Sequence, residues 1–408
     1  SASFSVNSGG QLRLTSASTD GVPRIYTFGS RIRLDSLGRG GTLPPTGQGV
    51  SGALRYQPES DDSVAIITNT VEFAGLSGVH VEGSRNTLEL TAPLEGAGGF
   101  IKTGGGNLIL PTSSPAYSAS IGLSNGTLTA NGQLPSPIEI AAGAFLAGCG
   151  RVGPVRGTGT VALDRTILSA TAATGLNYAF TFGTTGSPAY ANSASSGNAL
   201  LHLIALHPSA GVPTIDIYLD TPPLSVGDRL RGGFFVESGF DLAGFLASAT
   251  VRFFEPSASG SLRFANRFYT PYTGVLPITA TAMPETADFG SGPHRGQVME
   301  LRVAGPAVRY DEWMRKTYLY SEDQDNPFVS APLANLQNDG VPNLLRYAFD
   351  IPPYEPITGH LPRFTLQDGT PLYQFRFDPG KNDLIYLVEA SSTLTGPRRT
   401  LFDSRTDD

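Results

Sequence analysis

Residues 96–110 read GAGGFIKTGGGNLIL, and this stretch decides the fold that we predict. Apolar residues alternate with other residues on both sides of the glycine run at 104–106, as at Leu108 and Leu110. Alternation with a period of two predicts short strands that each bury one face. Because glycine accepts positive φ angles, we expect the run to form the corner between two strands. No helical pattern follows it, so a phosphate-binding loop is not expected.

Similar short patterns fill the chain from residue 1 to about 155. Clear examples lie at residues 11–15, 64–68, 79–82 and 87–91. Turn residues separate the patterns at intervals of roughly 8–12 residues, which is typical of all-β folds. Strands this short cannot bury a face alone, so we expect successive turns of the chain to stack on one another.

The composition agrees with a mainly β protein. Of the 408 residues, 40% are hydrophobic, enough for a sizeable core, while 49 Gly and 31 Pro indicate many turns. Only 15% are charged, below the roughly 25% that is usual for soluble domains. The net charge of −7 gives no electrostatic basis for binding nucleic acid.

Other sequence features bear on the cellular compartment. No apolar run reaches the roughly 18 residues that a membrane-spanning helix needs. Cys149 is the sole cysteine, which excludes an internal disulfide, and we expect it to be a small buried residue. The opening Ser1-Ala2-Ser3 fits the residues that follow a signal-peptidase site, so we expect export.

Residues 96–155 resemble the autotransporter-associated β-strand repeat, a G-x-L-x-K-x-G-x-G-x-L-x-L unit followed by Y-S-G and G-x-L segments. The later segments correspond to Tyr117-Ser118 and to residues 126–128. The chain departs from the pattern at Ala119, where the repeat has Gly, and at Cys149, where a small hydroxyl residue is common. The resemblance implies a right-handed parallel β-helix over residues 1–155 of a secreted or surface-displayed bacterial protein.

Residues 156–308 are predicted to form an antiparallel β-rich cap or sandwich. Residues 199–206 are almost continuously apolar, as in a strand covered on both faces, whereas residues 214–220 alternate. A cap is physically required because the last turn of a helix of strands exposes backbone groups.

Residues 309–360 are predicted to contain short helices, one at 310–320 and one at 343–349 behind Pro342. Residues 334–345 resemble a degenerate D-x-D-x-D-G-V-P-N-L-L calcium loop of bacterial surface proteins. The resemblance places metal ligands at Asn335, Gln337 and Asp339, of which only Asp339 is charged. Since charge sets Ca²⁺ affinity, the loop is expected either to bind Ca²⁺ weakly or to serve as a metal-free helix cap.

Residues 361–408 are predicted to form a small C-terminal β module. Residues 386–394 resemble the Y-x-V-E-x-S-S-x-L strand of the same surface proteins, in which further strands follow. The module is therefore expected to lack a final strand, either because the sequence is trimmed or because a neighbouring subunit supplies that strand. In the second case, we expect a subunit interface at Tyr386, Val388, Leu401 and Phe402.

The sequence contains no recognisable catalytic motif. His202 and His207 are five apart on one predicted strand, so they face opposite sides and cannot share a metal ion. Asp216 and Asp220 share a strand face, which could suit sugar hydrolysis but also fits a solvated polar face. The acidic group at residues 59–62 is expected to be an exposed turn. We therefore expect no enzymatic activity and no cofactor.

The favoured hypothesis is a secreted extracellular structural protein that assembles into a filament or surface appendage through β-edge pairing between identical subunits. The first alternative is a surface adhesin or carbohydrate-binding protein that does not polymerise. The second is a polysaccharide-degrading β-helix enzyme. The filament requires strand edges that another copy can pair with, and the adhesin requires a surface that binds glycans. The enzyme requires a groove with carboxylates or with a Ca²⁺–arginine pair.

Overall fold

The structure is a computed structural model of the 408-residue chain. It describes residues 3–7, 9–15, 22–38, 52–183, 198–207, 212–220, 224, 228–237, 239–264, 267–273, 278–303, 310, 313–314, 326–335, 338–351, 361–367, 370–375, 381, 384–391 and 398–404. The predicted helix at 310–320 falls mostly outside these ranges, as does Gln337.

The chain is mainly β, with 53% strand and 6% helix, which confirms the coarse prediction. The strands are β1 (Ser3–Val6), β2 (Leu12–Leu14), β3 (Arg24–Tyr26), β4 (Arg31–Leu34), β5 (Leu54–Tyr56), β6 (Val64–Ile67), β7 (Val71–Phe73), β8 (Ser77–Val81), β9 (Thr87–Leu90), β10 (Leu94–Glu95), β11 (Phe100–Thr103), β12 (Asn107–Leu110), β13 (Ile121–Leu123), β14 (Gly126–Ala130), β15 (Gln133–Leu134), β16 (Ile138–Ile140), β17 (Ala144–Ala147), β18 (Arg151–Val152), β19 (Val155–Gly157), β20 (Thr160–Leu163), β21 (Ile167–Thr174), β22 (Asn177–Phe182), β23 (Leu200–His207), β24 (Thr214–Leu219), β25 (Arg229–Glu237), β26 (Thr250–Pro256), β27 (Leu262–Phe264), β28 (Arg267–Pro271), β29 (Ile278–Asp288), β30 (Pro293–Val303), β31 (Arg363–Gln367), β32 (Thr370–Gln374), β33 (Leu387–Ala390) and β34 (Arg399–Asp403).

The helices of the described residues are short. They are α1 (Leu242–Ser248), α2 (Pro327–Ser330) and α3 (Asn343–Ala348). Asp241 caps α1 by accepting a hydrogen bond from the backbone N–H of Gly244. No helix among the described residues is long and apolar enough to cross a membrane.

The chain divides into two compact units. The first comprises Ser1–Pro223, Arg229–Thr273 and Ala280–Leu301, and the second comprises Leu224–Asp228, Gly274–Thr279 and Arg302–Asp408.

Three sheets build the first unit. Sheet A has the strand order β1-β4-β7-β10, and sheet B runs β2-β5-β8-β11-β13-β16-β19-β21-β23-β25-β30-β29. Sheet C runs β3-β6-β9-β12-β14-β17-β20-β22-β24-β26-β28-β27. Up to β26, most consecutive strands of the chain fall in different sheets and pair in parallel with a strand one turn later, as β12 does with β14. The short strands β15 and β18 pair with each other, and β18 joins sheet B at β21. The result is a β-helix-like stack of long parallel sheets.

Apolar ladders hold successive turns together. In sheet C, Leu88, Leu108, Leu128 and Leu146 occupy matching positions on β9, β12, β14 and β17, and all four are fully buried. Burying one such side chain contributes roughly 1.5–3 kcal/mol. The repeat of the apolar pattern along the chain thus becomes a continuous core along the stack.

Lys102 holds the glycine corner predicted at residues 104–106. Its buried ammonium donates hydrogen bonds to the carbonyl oxygens of Gly104 (2.6 Å), Asn125 (2.9 Å) and Gly106. Burial lowers the pKa of Lys102 to about 7, while three carbonyl acceptors favour the charged form, which has three N–H donors to match them.

The antiparallel arrangement expected for residues 156–308 is wrong for the first two thirds of that range. β21 with β23, β22 with β24, and β24 with β26 all pair in parallel and extend the stack. Antiparallel pairing begins where β28 joins β26 and β27 joins β28. A long apolar strand suits either pairing, so the pattern alone could not decide between them.

The environment of Cys149 also differs from the expectation. Its side chain is half-buried rather than buried, and its Sγ lies 3.6 Å from the Oδ1 of Asn131. Burial raises the pKa of the Cys149 thiol.

The second unit contains α2, α3 and two separate two-stranded sheets. β31 pairs with β32 and β33 with β34, both antiparallel, and the second pair has an irregularity between Val388 and Glu389. Helix α3 begins immediately after Pro342, as predicted. Lys381, further along the chain, donates hydrogen bonds to the carbonyl oxygen of Tyr347 within this helix (2.6 Å) and to the side chain of Asp350 just after it (3.1 Å).

Candidate functional site

Three neighbouring strands of sheet B bring two histidines and a carboxylate together. His202 lies on β23, Glu237 ends β25, and His294 lies near the start of β30. These strands are adjacent in the order β23-β25-β30. Sheet pairing therefore collects residues that are far apart in the sequence, and we call the three residues the His–Glu–His cluster.

The Glu237 carboxylate lies between the two imidazole rings. Its Oε1 is 3.0 Å from Nε2 of His202 and 2.8 Å from Nδ1 of His294. The other ring nitrogens contact hydroxyl groups, because Ser169 Oγ lies 3.2 Å from Nδ1 of His202 and Ser291 Oγ lies 2.7 Å from Nε2 of His294. Each ring therefore has both nitrogens occupied, and its orientation is defined.

Aromatic packing fixes the His202 ring. It stacks on Phe289 at a centroid distance of 3.8 Å and an interplanar angle of 6°, and Phe235 meets it edge-on. Burial lowers the pKa of His202, although the hydrogen bond and charge of Glu237 oppose the shift. The imidazole of His202 is thus held in its neutral form near pH 7.

Each residue of the His–Glu–His cluster offers one ligand atom, a ring nitrogen or a carboxylate oxygen. These three atoms lie within 4.8 Å of one another, close enough to hold a metal ion. Along the sequence, the histidine nearest to His202 is His207, which is exposed at the end of the same strand. No spacing signal links His202 to Glu237 or His294, since 35 and 57 residues separate the hydrogen-bonded pairs 202–237 and 237–294. Only the strand register could have revealed the group.

Asp216 and Asp220, the two aspartates weighed as a site for sugar hydrolysis, are both engaged with arginines. Asp216 accepts two hydrogen bonds from Arg252, at 2.7 and 2.8 Å. The side chain of Asp220 is fully buried and accepts hydrogen bonds from Arg165 (2.7 Å), Arg267 and the hydroxyl of Tyr269 (2.5 Å). Burial would raise the pKa of Asp220, but these three donors outweigh it and lower the pKa. Both carboxylates serve as acceptors for structural ion pairs.

A second buried carboxylate is neutralised in the same way. Glu300 on β30 is fully buried, and its Oε2 accepts a hydrogen bond from Arg231 at 2.8 Å. Arg231 also donates to Glu285 at 2.8 Å. The hydrogen bond to Glu300 is the main cause that raises the pKa of Arg231. Such pairing is what a buried charge requires.

The acidic turn at residues 59–62 is exposed, as predicted. Arg85 lies 3.1 Å from the Asp62 carboxylate and 3.6 Å from that of Asp61. Surface ion pairs of this kind contribute little to stability.

The degenerate calcium loop is organised by hydrogen bonds within the protein. Asn335 Oδ1 accepts from the backbone N–H of Asp339 at 3.2 Å, and Asp339 Oδ1 accepts from the N–H of Val341 at 3.0 Å. The other oxygen of Asp339 pairs with Arg346, whose side chain is fully buried. Asp339, the charged residue of the motif, therefore forms an ion pair with a buried arginine. Gln337 lies outside the described residues.

The residues predicted for a subunit interface surround the sheet of β33 and β34. Val388 faces Phe402 across the pair, and both are half-buried. Leu401 is 58% exposed, whereas Tyr386 is buried and donates a hydrogen bond to the carbonyl oxygen of Ala348 at 2.7 Å. Beside them lies an open groove of about 270 Å³. Its lining is mostly apolar and includes Leu345, Phe375, Tyr386 and Val388.

No protein-family model matches this chain, and no curated protein or solved structure is significantly similar to it. The family resemblances of the sequence motifs therefore stay predictions.

Proposed function

We propose that this chain is an extracellular structural protein, built as a right-handed parallel β-helix, that assembles with identical subunits into a filament or surface appendage. The handedness follows from the strong preference of parallel strand crossovers for the right-handed path. The proposal requires strand edges that another copy can occupy.

The strand order at the first end of the stack carries the proposal. β1, β2 and β3 each stand at the end of a sheet, with β4, β5 and β6 on one side and no strand of the described residues on the other. Large apolar side chains on these end strands are exposed, with Phe4 at 43% and Ile25 at 66%. Edge strands of this kind are templates for pairing with another chain.

The opposite end of sheets B and C has a different construction. β28 and β27 continue sheet C with antiparallel pairs, and β29 and β30 end sheet B. The connection between β29 and β30 spans only residues 289–292, so the two strands form a hairpin. Because the two ends differ, a head-to-tail contact between copies would join two different surfaces.

The sheet of β33 and β34 supports a second such surface. A two-stranded sheet is only marginally stable by itself. On this sheet, Leu387 and Leu401 are 52% and 58% exposed. An interface between two different surfaces of identical subunits generates an open polymer unless the rotation that relates successive subunits closes a ring. This geometry favours a filament over a closed dimer.

Export and the absence of catalysis belong to the same proposal. A low charged fraction suits a self-associating structural protein, and the paired state of Asp216 and Asp220 supports a structural role over sugar hydrolysis. A surface adhesin that does not polymerise is the alternative, and the hydrodynamic test below separates the two.

Sedimentation velocity over a range of protein concentrations tests the proposal. The parent chain should form large species whose proportion rises with concentration. Ile25→Lys on β3 and Leu401→Lys on β34 should each suppress these species, because lysine on an edge strand opposes pairing. Ile204→Lys is the matched control, because Ile204 is 56% exposed but lies on the inner strand β23. A monomeric parent at every concentration, or equal suppression by the control, would contradict edge-mediated assembly.

A further inference from the structure

We propose that His202, Glu237 and His294 form a binding site for one divalent transition-metal ion of the Zn²⁺ type, with a fourth coordination position open to solvent. Two imidazoles and one carboxylate are a donor set that suits Zn²⁺ and related ions. This site is independent of the proposed assembly, since it lies within the sheet of one subunit.

The distances in the His–Glu–His cluster match a tetrahedral ion closely. Two ligands of a tetrahedral Zn²⁺, each about 2.0–2.1 Å from the ion, are about 3.3 Å apart. The nitrogens of His202 and His294 lie 3.0 and 2.8 Å from Oε1 of Glu237. These two distances are within a few tenths of an ångström of that value, and the two imidazole nitrogens lie within 4.8 Å of each other.

The hydroxyl groups behind the rings select the nitrogens that would bind the ion. Ser169 contacts Nδ1 of His202 and leaves Nε2 facing Glu237, while Ser291 contacts Nε2 of His294 and leaves Nδ1 facing it. Ser169 is held in place by its register position opposite His202 on β21. Partners of this kind orient ligating histidines in known metal sites.

The electrostatic surroundings favour a cation. Glu237 supplies a negative charge between the two imidazole rings, and neutral imidazole and ionised carboxylate are the forms that coordinate metal. A bound divalent ion would replace the two protons that the hydrogen bonds now require.

One side of the cluster is accessible. The side chains of Glu237 and His294 are 26% and 25% exposed, compared with 5% for His202. An ion can enter from this side, and water can occupy the fourth position, as in three-ligand zinc sites. The ion would join β23, β25 and β30, so binding should raise the melting temperature.

Equilibrium titration of the chelator-treated full chain with Zn²⁺ at neutral pH tests the site. We expect one Zn²⁺ per chain, a higher melting temperature, and tetrahedral visible absorption bands when Co²⁺ replaces Zn²⁺. Glu237→Gln and His294→Ala should weaken binding by more than about 100-fold, and Ser291→Ala by about 10-fold. Glu237 and His294 are only partly buried, so these variants are expected to fold.

His207→Ala is the matched control, because His207 is an exposed histidine on the same strand as His202. It should bind Zn²⁺ as tightly as the parent. The proposal fails if the parent takes up less than half an equivalent at saturation, which would show that Glu237 is only a hydrogen-bond acceptor. It also fails if His207→Ala loses as much affinity as His294→Ala, which would assign binding to surface histidines in general.

Discussion

Lys102 on β11 donates a hydrogen bond from Nζ to the carbonyl oxygen of Asn125 at 2.9 Å, so a side chain from one turn of the stack holds the corner of the next. The same ammonium holds two carbonyl oxygens of its own corner. A buried lysine at this position of the glycine-rich repeat therefore has a structural reason, because neutral side chains would leave three carbonyl groups without these donors.

Lys102→Met should lower the free energy of unfolding by at least about 3 kcal/mol, since each buried acceptor left without a donor costs roughly 1–3 kcal/mol. Urea unfolding followed by circular dichroism measures the change. Arg156→Met is the control, because Arg156 is 69% exposed and pairs with Glu139 at the surface. A loss of stability no greater than that of the control would show that Lys102 does not hold the corner.

Gly126→Ala tests the tight approach of successive corners. Gly126 has φ +69°, and a Cβ there would collide with the carbonyl oxygens of Gly104 and Gly106 and with Nζ of Lys102. Gly143→Ala is the control, since Gly143 has a similar φ of +80° but open space around it.

The control should cost only about 1–2 kcal/mol from backbone strain, and Gly126→Ala should cost several kcal/mol more. Both values come from thermal or urea unfolding. Equal costs for the two glycine variants would contradict the packing that we describe at the corner.

The pKa of Asp220 is lowered on folding, so its stabilisation is complete above the ordinary carboxyl pKa of about 3.9 and is lost as the pH falls through the folded value. Asp220→Asn should reduce stability at neutral pH by on the order of 3 kcal/mol, because it disrupts a buried ion pair. It should also flatten the acid limb of stability against pH.

Tyr269→Phe removes one of the three hydrogen-bond donors to Asp220. It should therefore reduce, but not abolish, the loss of stability at acid pH. The measurement is the free energy of unfolding from about pH 5 down to pH 2. An acid limb in Asp220→Asn as steep as that of the parent would exclude Asp220 as its source.

Calcium should leave the melting temperature unchanged, because the carboxylate of Asp339 already pairs with Arg346 and accepts a hydrogen bond from the backbone N–H of Val341. Differential scanning calorimetry with and without CaCl₂ measures this. Asp339→Asn should lower the stability of the second unit whether or not calcium is present. A calcium-dependent rise in melting temperature that Asp339→Asn abolishes would instead establish the loop as a calcium site.

The sequence predicted the stacked strands well where apolar residues alternate between glycine corners. β9, β12 and β14 coincide with predicted patterns within one or two residues. The pairing of β21 to β26 was mispredicted because a continuous apolar strand such as β23 fits parallel and antiparallel sheets alike. Local pattern gives a strand and its buried face, but the neighbouring strand is a tertiary choice.

The His–Glu–His cluster could not be predicted for the same reason. Its members lie on β23, β25 and β30, and they meet only because these strands are neighbours in sheet B. His202 would be an ordinary core histidine without that order. The register of Ser169 opposite His202 is likewise a property of the folded sheet.

Electron microscopy of the purified chain at high concentration tests the central claim most directly. The account predicts elongated assemblies in which the strands of neighbouring copies pair edge to edge, and Ile25→Lys should disperse them. Uniform single particles of monomer size for the parent chain would contradict it.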